Sequence, residues 1–352
     1  MNTIIPPSPL SPSVGARRKG AKTLPRLPLS AFTPPNTGSS EAFPLPPSPS
    51  TLKPEELVDA YVIAPDGDLS AWKEQAGPTL NSKTKGVVLS LYGKETPQVE
   101  KVLQDVKSGS LEIPILAILV PIVNLTDEPT FSPPSYLVSA SASKPALIPT
   151  AVFTKNEPKI RDALHWALKE GLTINIDVQC DFREASGGGW DALEEMLTSV
   201  TNPQDAKDLK SKIVISNVLP PPDDLSLPIV KLLTDSSYRN YQSHIAALSL
   251  FGNVYLNYLP PAWGVPVPST TAEAQKERNE WKRRIKMYIS PAVEAFGFQR
   301  IIFGSSPSSA SQVSSNAADW YELARESFAE LGVEQDAVDA VFKSNAQLVY
   351  ES

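Results

Sequence analysis

Eight short apolar runs, each parted from the next by a helical stretch, recur along residues 57–304, and that alternation restricts the fold more than any other feature. The runs are LVDAYVIA (57–64), KGVVLSLYG (85–93), IPILAILV (113–120), ALIPTAVF (146–153), LTINIDVQC (172–180), KIVISNVL (212–219), NVYLNYL (253–259) and RIIFG (300–304). They have strand length and are rich in Val, Ile and Leu, as strands buried on both faces require. Between them lie helical patterns such as PQVEKVLQDVKSG and NEPKIRDALHWALKEG. The second offers Asn156 as N-cap, Pro158 in the first turn and Gly171 just past the end. Strands alternating with helices predict a parallel sheet of the α/β class, and eight repeats predict its closure into a (β/α)8 TIM barrel. Pro149 makes the fourth strand the least regular.

Residues 1–52 have another character. Twelve of the 35 prolines fall in the first 50 residues, among many serines and with no helical or strand period. Such a composition buries too little apolar surface to offset ordering, which predicts a disordered proline-rich arm ahead of a barrel at 53–352. The arm carries Arg17, Arg18, Lys19, Lys22 and Arg26 against Glu41 alone, so it is basic at +4. Within it, KTLPRLP (22–28) fits a polyproline II ligand for an SH3-type domain, with Lys22 as the orienting charge and Pro25 and Pro28 in the groove. The same residues also fit a solvated tail. A mitochondrial presequence is a further alternative, although so many prolines oppose the amphipathic helix it needs.

The remainder holds 27 basic and 38 acidic residues, a net charge of −11, which argues against nucleic acid as a partner. No membrane segment is expected, because the longest apolar run, 113–123, is short and broken by Pro114 and Pro121. One cysteine, Cys180, excludes an internal disulfide and fits a reducing, cytoplasmic compartment. The whole chain has two histidines, His165 and His244, and both fall in helical stretches. Helices form a barrel's outer ring, so neither is placed to bind metal or shuttle protons.

Reactive groups in such a barrel project from the C-terminal strand ends. Read in order, these ends supply Tyr61 and Ile63, Tyr92, Asp177 and Gln179, Asn217, Asn257, then Ser305 and Ser306, with Tyr258 in the loop after strand seven. The set is polar but poor in groups that titrate near neutrality. Asp177 and Asp181 are its only clustered carboxylates, and Asp177 is the one candidate acid or base.

The C-terminal stretch AFGFQRIIFGSSPSS…VFKSNAQLVY resembles the closing segment of the amidohydrolase-related (amidohydrolase 2) family, whose Phe-x-x-Asn-Ala…Tyr signature is matched by Phe342, Asn345, Ala346 and Tyr350. LVDAYVIAP is similar to that family's first strand, and KIVISNVLP…HIAALSLFGNVYLNYL to its sixth and seventh. The resemblance implies a metal-dependent hydrolase barrel, but this chain departs from it where the chemistry sits. The family's Asp-Ala-His-x-His is here Asp59, Ala60, Tyr61, Val62 and Ile63; its Asp-His at strand six is Ser216 and Asn217; its Phe-Gly-Ser-Asp at strand eight ends in Ser306. A phenol, a butyl group and a hydroxyl replace two imidazoles and a carboxylate, so the expectation is no metal and no cofactor.

Three other features attract notice. SGGGW (186–190) is read as a hinge into a helix beginning near Trp190 or Asp191, not as a phosphate cradle. EAQKERNEWKRRIKM (273–287) is read as a solvated helix face, and YLPPAWGVPVP (258–268) as a loop whose Tyr258 and Trp263 either lid the mouth or pack on the surface. The reading is a pseudoenzyme or binding module, its pocket lined by Tyr61, Ile63, Asp177, Gln179, Asn217, Tyr258, Ser305 and Ser306. It would take a small carboxylate, lactone or aromatic ligand. The alternative is an atypical hydrolase, lactonase or decarboxylase using Asp177.

Overall fold

A computed structural model describes residues 51–91, 93–94, 96–108, 113–123, 130–138, 145–183, 188–201 and 211–351. Lys22, Pro25, Pro28 and Tyr92 lie outside them. The strands are β1 (Leu57–Ile63), β2 (Thr84–Ser90), β3 (Ile115–Pro121), β4 (Ala146–Phe153), β5 (Ile174–Val178), β6 (Ile213–Leu219), β7 (Val254–Tyr258) and β8 (Ile301–Phe303). All are parallel and neighbours in chain order, the arrangement of a (β/α)8 barrel. Pro149 does not interrupt the strand: the β3–β4 register runs unbroken from Ala117↔Ala146 to Pro121↔Thr150.

The helices are α1 (Ser70–Lys83), α2 (Thr96–Ser108), α3 (Ser135–Val138), α4 (Pro158–Lys169), α5 (Gly189–Val200), α6 (Ile229–Leu232), α7 (Ser236–Leu248), α8 (Gln275–Phe296), α9 (Ala317–Ala329), α10 (Gln335–Asp339) and α11 (Asn345–Tyr350). None of those described is long and apolar enough to cross a membrane. The start of α4 differs from expectation: Glu157, not Asn156, is its N-cap, and no side chain caps it. Pro158 at the first position supplies the fixed φ instead. His165 lies on the exposed face of α4. His244, on α7, stacks on Trp190 at 5.5 Å and holds Glu194 through Nδ1 at 2.6 Å.

Alternation along the strands divides the core in two. Outward side chains such as Ile174, Ile176, Val178, Ile213 and Ile215 pack against the helices, while Val58, Ala60, Tyr61, Val88, Ala117, Leu119, Ile148, Val214 and Ile302 fill the barrel. Ala346, Val349 and Tyr350 of α11 join that inner cluster. They sit at the end where strands begin, because Asn345 donates to the Phe298 and Ile301 carbonyls, both at 2.8 Å, beside the start of β8. Phe342 stacks on Phe303 at 4.8 Å. The C-terminal signature is thus a structural plug for the barrel floor.

The charge-dense helix departs from the solvated face expected of it. On α8, Arg278 and Arg284 are buried together with Trp281. Arg284 holds Asp223 at 2.5 Å and the carbonyls of Asp224 and Leu227, pinning the loop after β6. A ladder of Arg278, Lys282 and Lys286 meets Glu326 and Glu330 on and just past α9. Sequence spacing exposes the i,i+4 charge period but not the second helix that faces it.

Candidate functional site

Two irregularities shape the strand ends. In β1 the register slips between Asp59 and Val62, so Ala60 and Tyr61 both belong to the inner cluster. Tyr61 and Ile63 therefore face inward as expected, though through a bulge, while Asp59 turns out toward α1. Between Ile215 and Leu219 the register of β6 slips as well, and Asn217 there takes φ 65°. Its Nδ2 donates to the Val178 carbonyl at 2.7 Å, so Asn217 stitches β6 to β5 and is not a pocket wall.

The turn after β8 shapes the mouth. Gly304 is needed there because a Cβ would lie 2.7 Å from both Leu259 Cδ2 and Tyr61 Cβ. Beyond it the Ser305 amide donates to Asp59 Oδ1 at 2.8 Å, and Trp72 Nε1 donates to Asp59 Oδ2 and Ser305 Oγ, each at 3.0 Å. Ser305 is buried in this knot behind β1 and does not line the pocket. Burial lifts the Asp59 carboxyl to about 6, against the pull of its bonds from Ser305, Tyr61 and Trp72.

Ser306 bridges β8 to β1: its amide donates to the Tyr61 carbonyl at 3.0 Å, and its Oγ accepts from the Ile63 amide at 3.1 Å. Three residues later Ser309 donates to Asp177 Oδ2 and accepts from Gln179 Nε2 at 2.7 Å. Gln179 Nε2 also reaches Asp177 Oδ2 at 3.1 Å. The β8 turn therefore runs across the mouth, fastened to β1 at one end and to β5 at the other. Burial pushes the Asp177 carboxyl up, and the Ser309 and Gln179 bonds pull it part of the way back. Asp181, the expected companion carboxylate, is exposed and accepts from the Arg183 amide instead.

Below this strap the wall from β4 to β7 is polar. Ser216 donates to Asn175 Oδ1 at 3.2 Å, and Asn257 Nδ2 donates to Ser216 Oγ at 2.9 Å. The opposite wall is apolar, formed by Val58, Ala60, Val88, Ala117 and Ile302. Asn175 and Ser309 are site residues that the strand-end reading missed. Asn175 lies two residues before Asp177 on the same inward face, so period two could have found it. Ser309 belongs to the run of hydroxyls in the β8 turn with Ser305, Ser306 and Ser308, and nothing local singles it out from them.

Tyr258 and Trp263 do not lid the mouth. Tyr258 points outward, donating to the Ala324 carbonyl at 3.2 Å and packing edge-on against Trp320. Alternation in β7 gives the inward place to Asn257. Trp263 is buried against Trp281 and donates to the Pro221 carbonyl. The glycine hinge holds in its described part: α5 begins at Gly189, where φ is 53° and a Cβ would strike the Asp181 carbonyl at 2.6 Å.

No family model matches the chain, and no curated protein matches it. Solved structures do. A zinc-bound amidohydrolase from Burkholderia multivorans aligns with a TM-score of 0.53 and 12% identity, over 84% of this chain and 99% of that one. An amidohydrolase 2 from Bifidobacterium longum subsp. infantis gives 0.47 and 12% over 84% and 98%. A putative 2-pyrone-4,6-dicarboxylic acid hydrolase from Pseudomonas putida gives 0.47 and 13% over 84% and 97%. The first alignment shows a shared barrel fold.

The described residues of the mouth do not form a zinc site. Among the described residues no three of His, Cys, Asp and Glu converge to hold a metal ion. The inward groups of β1 are a phenol and a butyl chain, the Asn217 amide is spent on a carbonyl, and Ser306 is spent on the β8–β1 seam. Among the described residues no second carboxylate joins Asp177, which is already fastened through one oxygen.

Proposed function

We propose that this chain is an amidohydrolase-like barrel that no longer performs metal-dependent hydrolysis and acts by binding. The observation carrying this reading is the use of Ser306. Where the family it resembles has a carboxylate at the end of strand eight, this residue accepts the Ile63 amide and closes the barrel seam. A hydroxyl already accepting a backbone bond, with no base beside it, is neither a nucleophile nor a metal ligand. Elemental analysis of the purified chain should find no stoichiometric zinc or manganese, and a chelator should leave its melting temperature unchanged. One equivalent of tightly held metal would overturn the proposal.

One observation favours a second reading, in which Asp177 acts on water in a metal-independent ester or lactone hydrolase. Its carboxyl is buried and raised, and Oδ1 lacks a hydrogen-bond partner. Turnover of such a substrate, abolished by Asp177→Asn, would establish that reading; unaltered turnover in the variant would reject it.

The basic arm is the proposed contact to other proteins, through Lys22, Pro25 and Pro28 in an SH3-type groove. A peptide of residues 20–30 should bind such domains at micromolar strength, and Lys22→Glu should weaken it. Equal binding of both peptides would remove the motif from consideration. The proposed setting is cytoplasmic, with a mitochondrial one as the alternative.

A further inference from the structure

Resting on the binding reading, the geometry points to a small, neutral, hydroxyl-rich molecule as the ligand under the β8 turn, with Ser309 occupying the place of one of its hydroxyls in the free protein. Four buried side-chain atoms on inward strand positions carry the argument. Ser90 Oγ, Thr150 Oγ1, Asn175 Nδ2 and Asp177 Oδ1 all lack a hydrogen-bond partner, and each residue is at least nine-tenths buried. Thr150 pairs in register with Asn175, and Asp177 is two residues further along β5, so these three adjoin; Ser90, on β2 beside the inward Ile63, faces them from across the barrel. Buried groups of this kind require partners, at a cost on the order of 1–3 kcal/mol each when left without.

The set is mixed. Two hydroxyls can donate or accept, an amide nitrogen donates, and a carboxylate oxygen accepts. A ligand whose groups do both satisfies them together, and a hydroxyl does. A dicarboxylate offers acceptors alone, and among the described residues the charged group facing it, Asp177, is itself a carboxylate. Cations that would receive an anion stand elsewhere: the buried ones among the described residues, Arg278, Arg284 and Arg325, are on α8 and α9, outside the sheet. The opposite wall, with Ala60 and Ala117, offers an apolar face to the C–H groups of such a molecule.

Ser309 already performs the recognition. Its hydroxyl donates to Asp177 Oδ2 and accepts from Gln179 Nε2, as a ligand hydroxyl would. Loop and ligand therefore compete for the same pair, and removing the loop's hydroxyl favours the ligand.

Calorimetric titration of the full chain tests this with erythritol as the neutral probe and malonate as the anionic one. Erythritol should bind, Ser309→Ala should tighten it about tenfold, and Asp177→Asn should weaken it about tenfold, the effect of one hydrogen bond to a charged group. Gln179→Ala should weaken it too, and serves where Asp177→Asn fails to fold. Malonate should bind none of these proteins. Malonate binding as tightly as erythritol, or erythritol failing to bind the Ser309→Ala protein, would overturn the inference. Stoichiometric metal in the elemental analysis would instead overturn the non-catalytic reading on which it rests, so the two failures are separable.

Discussion

Burial away from any cation lifts the Asp59 carboxyl from 3.8 to about 6, although three N–H groups point at it. The folded protein therefore binds this proton more tightly than the unfolded chain does. Between about pH 4 and 6 the native state carries more protons, so the slope of stability with pH is negative from this group. Its favourable contribution is present below the unfolded value and is lost as pH rises through about 6, amounting to roughly 3 kcal/mol at about 1.4 per unit. Asp59→Asn removes the titration while keeping an acceptor for Trp72. Urea unfolding should show the wild type losing stability relative to this variant from pH 4 to pH 7. Parallel curves would mean that Asp59 does not titrate in that window.

The ion pair that holds the loop after β6, Arg284 with Asp223, is buried, its side chains 3% and 6% exposed. Replacing one partner leaves the other charged and desolvated, so Arg284→Met should cost about 3–5 kcal/mol. The Lys282 ammonium, shared between Glu326 and Glu330 nearer the surface, is a different case. Lys282→Met should cost no more than about 1 kcal/mol, and less in high salt. Chemical denaturation of the two variants checks the contrast, and similar losses would mean that burial does not separate these pairs. The arrangement also explains why a sequence this dense in charge does not form a solvated face. Its partners, Asp223, Glu326 and Glu330, come from a strand-end loop and from the C-terminal end of α9.

For the whole barrel, residues 52–56 tie the chain ahead of β1 to the helices around it. Arg325 donates to the Leu52 carbonyl at 2.8 Å, Gln335 to the Lys53 carbonyl at 2.9 Å, and Lys83 to the Pro54 carbonyl at 2.6 Å. Lys343 pairs with Glu56 at 2.5 Å. Deleting residues 1–50 keeps all four and should leave the melting temperature within a degree or two. Deleting residues 1–56 removes the Leu52 carbonyl from buried Arg325, which keeps Glu322, and should lower stability by about 1–2 kcal/mol. A large loss from the shorter deletion would show that the arm packs on the barrel.

All eight strands, their order and the barrel were legible in the sequence, because a strand buried on both faces announces itself locally as an apolar run between turns. So was the C-terminal signature, whose Phe342, Asn345 and Tyr350 are identifiable without knowing what they touch. The site was legible only in part. Asp177 and Gln179 followed from period two, but a bulge shifts the phase of that period, so Ala60 beside Tyr61, and Asn217 at φ 65°, had to be seen folded. What tertiary structure alone decided is the strap across the mouth. Ser309 meets Asp177 from 132 residues away, and no local pattern encodes a hydrogen bond made by closing a barrel.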